Sequence, residues 1–307
     1  MPPEVLAFGA LNVDRLVRVD FIPGSGAETS GREVELSPGG AAGNFAAGMA
    51  RLGLRSGLVA RVGSDPHGDF LLRALRRERV DVRGVRRVGG FSGRVTAMVD
   101  RQGERALIVE PGVNDGWKGL PPSVPFGRAR WLHLTSFACT EGDGPLRVQA
   151  AAARLCAGRV SLDPGNLYAR RGERGLRPLL RRTAVLLPSE EELQKITSGA
   201  AVPGAEALAE GGMTVAVKMG PRGCFATNGR ESARLPSLAA KVVDTTGAGD
   251  AFDSGFIFGR LRGHPLGECA LLGSLAAASC VARAGAWTGL PSRAELLRRF
   301  ETARGRM

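Results

Sequence analysis

The sequence has few of the residues from which metal centres, disulfide frameworks and aromatic stacking surfaces are built. Its 307 residues include five cysteines, three histidines and one tyrosine. The cysteines form no C-x-x-C pair, and most stand in apolar segments, where cysteine behaves as a small hydrophobe. The histidines His67, His133 and His264 lack the spacing of metal ligands. The composition therefore predicts neither a zinc site nor a disulfide-based fold.

Long apolar runs are also missing. The best charge-free candidate for a membrane span, residues 269–282, is 14 residues long, whereas a membrane-spanning helix needs roughly 20. The start, Met1-Pro2-Pro3-Glu4, lacks the basic residues and the small-residue cleavage site of a signal peptide. We therefore expect a cytoplasmic protein with no membrane partner.

Lysine is scarce although the chain is basic. The net charge is +12, and only four of the 42 Lys and Arg residues are lysines. The arginines are dispersed along the chain, and aromatic residues make up only 5 % of it, so no basic stripe with stacking side chains is present for nucleic acid. The positive field instead favours anionic substrates such as nucleotide phosphates.

Several catalytic signatures are absent. The chain contains no G-x-x-x-x-G-K-[ST], no H-E-x-x-H and no G-x-S-x-G, so a P-loop, a metalloprotease and an α/β-hydrolase have no support. The dinucleotide fingerprint G-x-G-x-x-G is missing as well.

The most informative segment that is present runs Val243-Asp244-Thr245-Thr246-Gly247-Ala248-Gly249-Asp250-Ala251-Phe252. It places a glycine-rich turn directly before apolar residues at helical spacing, which predicts a helix start. Backbone N–H groups at a helix start lack partners and lie at the positive end of the dipole, so they bind phosphate. Asp250 would stand beside that anion, where a carboxylate is useful as a base for phosphoryl transfer. The alternative is a capping acid after a tight turn.

This segment closely resembles the signature of the ribokinase-like (PfkB) family of sugar and nucleoside kinases. A second family pattern, GG-x-x-x-N, is present as Gly39-Gly40-Ala41-Ala42-Gly43-Asn44. The two motifs are about two hundred residues apart, in the family's order, and the resemblance covers nearly the whole chain.

Apolar strand candidates alternate with helical patterns for most of the length, which predicts a doubly wound, mostly parallel α/β sheet flanked by helices. We place strands at residues 5–11, 57–62, 131–134, 160–163, 184–187, 215–219 and 241–243. Two stretches with strand patterns and no helix predict a small β-sheet lid, as in the family resembled. The predicted division is a lid of residues 12–37 and 91–109 and an α/β core of residues 1–11, 38–90 and 110–307.

The resemblance also implies roles for residues in and before the two motifs. Asp250 would be the general base, and the N–H groups of Gly247, Ala248 and Gly249 would form the anion hole. The implied substrate-binding residues are Asn12, Asp14, Gly39, Gly40 and Asn44. A turn-forming aspartate remains the alternative for Asp14.

ATP is the implied nucleotide, bound with Mg²⁺ held mainly by substrate phosphates. The implied nucleotide-binding residues are Ser189, Glu192, Lys218, Gly220, Thr245 and Ser274. Glu192 matches the residue that organises Mg²⁺ through water, but Ser189 stands where the family usually has Asn, and a plain helix N-cap is its alternative. Ser274 is equally explained by helix packing. Asp244 and Thr246 match K⁺ ligand positions found in several members.

The sequence therefore predicts an ATP-dependent kinase that phosphorylates a hydroxyl of a sugar. A nucleoside kinase of the same family is the first alternative, and a non-catalytic sugar- or nucleotide-binding regulator is the second. We also expect a homodimer that forms through the lid.

Overall fold

Two β-sheets and ten α-helices make up the part of the chain that the computed structural model describes, residues 2–238 and 241–305. The strands are β1 (Val5–Phe8), β2 (Asn12–Val19), β3 (Gly31–Gly39), β4 (Ser56–Gly63), β5 (Val85–Val88), β6 (Gly93–Val99), β7 (Arg105–Glu110), β8 (Trp131–Thr135), β9 (Arg159–Asp163), β10 (Val185–Leu186), β11 (Thr214–Lys218), β12 (Cys224–Thr227) and β13 (Ser232–Leu235). The helices are α1 (Ala41–Arg51), α2 (Pro66–Arg77), α3 (Gly144–Leu155), α4 (Gly165–Ala169), α5 (Gly172–Leu180), α6 (Glu190–Thr197), α7 (Ala201–Glu210), α8 (Ala248–Arg262), α9 (Leu266–Cys280) and α10 (Arg293–Arg304).

The larger sheet has nine strands in the order β13-β12-β11-β10-β9-β8-β1-β4-β5. Its pairs are parallel except for β11–β12 and β12–β13, which are antiparallel. The chain continues from β1 to β4 on one side and later to β8 on the other, so the direction of winding reverses between β1 and β8. Ligands of doubly wound folds bind beyond the carboxyl ends of the strands at such a point. The predicted fold class is confirmed.

Helices cover both faces of this sheet because successive strand residues point to opposite sides. In β1, Val5 and Ala7 belong to one apolar core, whereas Leu6 and Phe8 belong to the other. The first core is shared with α1, α2, α8, α9 and α10, and the second with α3 to α7. Helices α8 and α9 approach closely, since a Cβ on Gly255 would overlap the carbonyl of Leu272. This packing fixes the position of α8 and of its first turn.

The smaller sheet has the order β3-β2-β6-β7. Strands β2 and β6 are parallel, and β3 and β7 pair antiparallel to them at the edges. Strands β6 and β7 form an antiparallel hairpin, with Val99 paired to Arg105 next to its turn. All four strands begin within the two stretches assigned to a lid, and β3 and β7 continue to Gly39 and Glu110, just beyond the predicted bounds. The division of the chain into lid and core stays a prediction.

Some predicted strand bounds are wrong. Residues 241–243 form no strand, and Val242 and Val243 are 63 % and 55 % exposed. Their β-branched side chains suggested a strand, but β-propensity depends on packing against neighbours, which this segment lacks. The first strand ends at Phe8, and Asn12 already belongs to the smaller sheet. Strands β5, β12 and β13 were missed; β12 and β13 form an antiparallel hairpin at the sheet edge.

None of the helices in the described residues is long and apolar enough to cross a membrane. A cytoplasmic location stays a prediction.

Candidate active site

The predicted anion-binding turn forms the start of α8. Gly247 is the residue before the helix and has φ 75°, a left-handed conformation that favours glycine. A Cβ at this position would also lie 2.7 Å from the Cβ of Ala286. The Ala248 N–H donates to the Thr245 carbonyl at 3.2 Å, whereas the Gly247 and Gly249 N–H groups have no acceptor within residues 2–238 and 241–305. The Asp250 N–H likewise has no acceptor there, so three N–H groups of this turn remain as donors for an anion.

Asp250 lies in the first turn of α8 and is held by Asn44 of α1. The Asn44 Nδ2 donates to Asp250 Oδ2 at 2.6 Å, and the Trp287 Nε1 donates to Asn44 Oδ1 at 2.7 Å. The indole thus fixes the amide so that its N–H faces the carboxylate. Burial and the negative charge of Asp163 raise the pKa of Asp250 to about 7, although the Asn44 hydrogen bond opposes this rise. A carboxyl group with this pKa suits proton transfer near neutral pH.

A pocket of about 290 Å³ opens in front of Asp250. Its lining combines residues of both motifs with residues of the smaller sheet, and it includes Asn12, Asp14, Gly40, Asn44, Arg105, Leu107, Asp244, Thr246, Gly247 and Asp250. Four of the five predicted substrate-binding residues therefore meet the predicted base in one cavity.

The fifth, Gly39, packs behind Asp14. A Cβ on Gly39 would overlap the Asp14 carboxyl group, so this glycine makes room for that side chain. Gly40 has φ 83°, and a Cβ there would lie 2.6 Å from the Ala10 carbonyl. The close approach at Gly40 is therefore to the chain's own backbone. Burial and the charge of Asp244 raise the pKa of Asp14 to about 7, although Arg105 lowers it.

Ser189 and Glu192 form a reciprocal capping box at the start of α6. The Ser189 Oγ accepts from the Glu192 N–H at 3.3 Å, and Glu192 Oε2 accepts from the Ser189 N–H at 2.7 Å. Ser189 is therefore the N-cap of α6, which is the alternative stated for it above. Lys218 is adjacent, because its N–H donates to the Pro188 carbonyl at 2.8 Å.

The other predicted nucleotide-binding residues do not line the pocket. Gly220 follows β11 with φ 56° and open space around it. Ser274 of α9 has its Oγ 3.5 Å from Cys224 Sγ, a contact that helix packing explains. Thr245 stands on the turn before α8.

Two acids that the sequence analysis missed surround Lys218. Its Nζ donates to Asp163 Oδ2 at 2.9 Å and to Asp253 Oδ1 at 3.1 Å. Burial alone would lower the pKa of Lys218, but these two carboxylates outweigh burial and raise it. Within the described chain, the carboxylates of Asp163, Asp250 and Asp253 approach within 4.8 Å of one another. An ammonium already bridges two of them, so the cluster is an ion-paired network below the start of α8.

Two features of the sequence point to these acids as site residues. Asp163 ends the buried strand β9, and Asp253 lies three residues after Asp250, on the same face of α8.

Arg105, the first residue of β7, is a further pocket residue that was not predicted from the sequence. Its Nη1 and Nη2 donate to the Thr245 and Thr246 hydroxyls at 3.2 and 3.4 Å, and Nη1 lies 4.0 Å from Asp244 Oδ1. Strand alternation places Arg105 on the same face as Leu107, which lines the pocket. The lid sheet therefore carries a cation to the turn that begins α8.

Comparison with known proteins shows that the chain is similar to kinases. Residues 2–293 match the model described as pfkB family carbohydrate kinase. An uncharacterized sugar kinase of Archaeoglobus fulgidus is 40 % identical over 246 residues, which cover 80 % of this chain and 98 % of that protein. An ATP-dependent ribose-1-phosphate kinase of Halopiger xanaduensis is 33 % identical over 258 residues, 83 % of each chain. The Arabidopsis thaliana ribokinase structure with ribose and ATP superposes with a TM-score of 0.83 and 26 % identity, over 98 % of this chain and 99 % of that one.

Proposed function

The chain belongs to the pfkB family of carbohydrate kinases, and from this we propose that it transfers the γ-phosphate of ATP to a hydroxyl of a sugar, with Asp250 as general base. Membership makes it a sugar or nucleoside phosphotransferase. One observation carries the proposal: the Asp250 carboxylate, held by Asn44 at 2.6 Å, lines the pocket beside N–H groups of the α8 start that have no acceptor in the described chain. This places a base, an acceptor site and an anion site next to one another.

In the proposed reaction Asp250 accepts the proton of the sugar hydroxyl as the oxygen attacks the γ-phosphorus. The bond between the γ-phosphorus and the β,γ-bridging oxygen breaks, and ADP leaves with that electron pair. The Gly247 and Gly249 N–H groups would stabilise the negative charge on the transferring group, with Ala248 between them. Asn12, Asp14 and Asn44 supply the hydrogen bonds that orient the sugar, and Gly39 and Gly40 shape the backbone around them.

We propose Mg²⁺ as the companion of ATP, where it would neutralise phosphate charge. Glu192 fits a water-mediated role, because only its Oε2 is engaged by the Ser189 N–H and the carboxylate retains further acceptor capacity. Ser189, Lys218, Gly220, Thr245 and Ser274 are proposed nucleotide contacts. A K⁺ site at Asp244 and Thr246 fits less well. The Asp244 carboxylate already accepts from Thr246 and the Gly285 N–H and faces Arg105, so we derive no step through K⁺.

The alternative acceptor is a nucleoside. An ATP-consumption assay over pentoses, hexoses, sugar phosphates, sugar acids and nucleosides, with mass spectrometry of the product, tests the proposal. A phosphorylated sugar supports it. A phosphorylated nucleoside with no sugar turnover favours the alternative, and tight ligand binding without ATP consumption would favour a regulator and overturn the assignment of a base.

We predict that kcat/KM rises with pH and levels off above about 7, because Asp250 must be ionised to accept a proton and burial raises its pKa to about 7. Asp163, Lys218 and Asp14 are the charged groups facing it. The Asp14 pKa is also about 7. Below that pH, kcat/KM should therefore fall more steeply than protonation of a single group would cause. Rate profiles of the wild type and Asp14→Asn would measure this. In the variant, the decrease in kcat/KM at low pH should have the slope expected for protonation of one group. A profile that is independent of pH in both enzymes would contradict the prediction.

We also propose a homodimer through the outer face of the smaller sheet. Glu35, Ser37 and Leu107 line the pocket, so the alternate residues Val34, Leu36 and Ile108 point outward, where they are 38 %, 39 % and 50 % exposed. An apolar sheet face of this kind is typical of an interface.

Light scattering should therefore give the mass of two chains for the wild type. Ile108→Asp should shift the mass to one chain, since an unpaired charge at a buried interface costs a few kcal/mol. The matched control Asp69→Asn on α2 should stay dimeric. A monomeric wild type would contradict the proposal.

A further inference from the structure

Binding of a neutral sugar does not require the lid arginine Arg105. Hydroxyl groups of a sugar can be bound by Asn12, Asp14 and Asn44, which both donate and accept hydrogen bonds or accept them strongly. A guanidinium only donates, and its planar fork fits carboxylate and phosphate groups. Its presence in the acceptor pocket therefore points to a substrate with a negative charge.

Arg105 also differs from a structural arginine of the same protein. Arg51 has short bidentate bonds to Glu78, at 2.7 and 2.6 Å, and Nη1 donates to the carbonyls of Trp287 and Leu290. Within residues 2–238 and 241–305, Arg105 has only the two longer bonds to threonine hydroxyls, and Asp244 lies at the limit of ion pairing. Two of its five N–H groups are used, and the weak partners are easily replaced by an anion.

Among the described residues, Asp244 is the one carboxylate within ion-pairing distance of Arg105, while Asp14, Glu35 and Asp250 also line the pocket. Arg15, the other arginine lining the pocket, is paired with Glu33 at 2.8 Å. Asp244 is held by three hydrogen bonds from Thr246 and the Gly285 N–H. An anion bonded to the free edge of the Arg105 fork, at about 2.8 Å, lies closer to the guanidinium than to Asp244, and Coulomb energy falls with distance.

We propose that Arg105 binds an anionic substituent of the acceptor, so that the enzyme phosphorylates sugar phosphates or sugar acids in preference to neutral sugars. This inference rests on the proposed kinase function. The bound group is a phosphate or a carboxylate, which share the bidentate geometry. The phosphoryl acceptor remains a hydroxyl facing Asp250, and Arg105 takes no part in bond breaking.

The experiment compares ribose 1-phosphate, gluconate, ribose and fructose as acceptors for the wild type, Arg105→Gln and Arg105→Lys. The matched control is Arg101→Gln, because Arg101 stands on the same hairpin, is 74 % exposed and pairs with Asp20 away from the pocket. Thermal melting checks that all four proteins fold alike.

We expect the wild type to favour one anionic acceptor by about 100-fold or more in kcat/KM, as charge-assisted bidentate bonds allow. Arg105→Gln should raise KM for that acceptor by about 100-fold, a much larger change than the one it causes for ribose or fructose. Arg105→Lys should recover only part of the loss, and Arg101→Gln should behave as wild type. Preference for ribose 1-phosphate over gluconate identifies a phosphate, and the reverse identifies a carboxylate.

Three outcomes overturn the inference. The wild type could prefer a neutral sugar, which would leave the kinase function intact. Arg105→Gln could lower kcat equally for every acceptor, which would place the guanidinium on the transferring phosphoryl group. Arg105→Gln could also change nothing, which would make Arg105 a lid contact only. Failure of the kinase function itself is distinct, because no sugar of either charge would then be phosphorylated.

Discussion

Asp250→Asn should fold normally and lose about 100- to 10,000-fold in kcat, because the amide cannot accept the proton of the attacking hydroxyl. The Asn44 Nδ2 that donates to Asp250 Oδ2 at 2.6 Å can donate to the new amide oxygen, so the local structure should persist. Steady-state rates with the best acceptor, together with calorimetric affinities for ATP and the acceptor, measure the effect. Both affinities should stay within a few-fold of wild type.

Stability gives an independent check on the same variant. Burial raises the pKa of Asp250 to about 7 from 3.8, so the folded state binds its proton more tightly than the unfolded state does. Ionisation of Asp250 therefore costs stability as pH rises from about 4 to about 7, and the cost persists at higher pH. Asn cannot ionise, so the variant should be at least as stable as wild type at about pH 8.

Asp69→Asn is the matched control, since this acid lies on α2, where it pairs with Arg87 at the surface. Its activity should be within about twofold of wild type. An Asp250→Asn enzyme that retained near-wild-type turnover with every acceptor would show that Asp250 is a capping acid and not the base.

Gly39→Ala should raise the acceptor KM by about 10- to 100-fold and leave ATP affinity unchanged. The new Cβ would overlap the Asp14 carboxyl group, which can rotate away because it is the end of a side chain. Asp14 then loses its hydrogen bonds to the substrate, each worth about 1.5 to 3 kcal/mol when one partner is charged. Initial-rate kinetics with each substrate varied would measure the change.

A double-mutant cycle separates this mechanism from a general packing defect. If Gly39 acts through Asp14, then Gly39→Ala combined with Asp14→Ala should be no worse than Asp14→Ala alone. Gly24→Ala is the control, because a Cβ there meets nothing within 4 Å and φ is not positive. Additive losses in the cycle, or equal loss of ATP affinity, would contradict the role assigned to Gly39.

The parts of the site that lie within one short segment could be predicted from the sequence. The turn before α8 depends on Gly247 in a left-handed conformation and on the unpaired N–H groups of a helix start, and both follow from local chemistry. The same holds for the Ser189 and Glu192 capping box, whose residues are three apart. The alternation of buried strands and helices likewise determined the doubly wound fold, because periodicity is also local.

Contacts between residues that are far apart in the sequence were decided by the tertiary structure. Asn44 and Asp250 are 206 residues apart in the chain, yet they share a hydrogen bond, and Lys218 is paired with Asp163 from a strand two places away in the sheet. Nothing in the local sequence distinguishes Arg105 from the many solvated arginines of this chain. Its contact with the α8 turn depends on the pairing of the strands in the smaller sheet. The predicted strand at 241–243 failed for the same reason, since a β-branched pair forms a strand only where a neighbouring strand offers hydrogen bonds. Local chemistry specifies a helix start or a cap, whereas pairing over long separations depends on how the whole sheet is ordered.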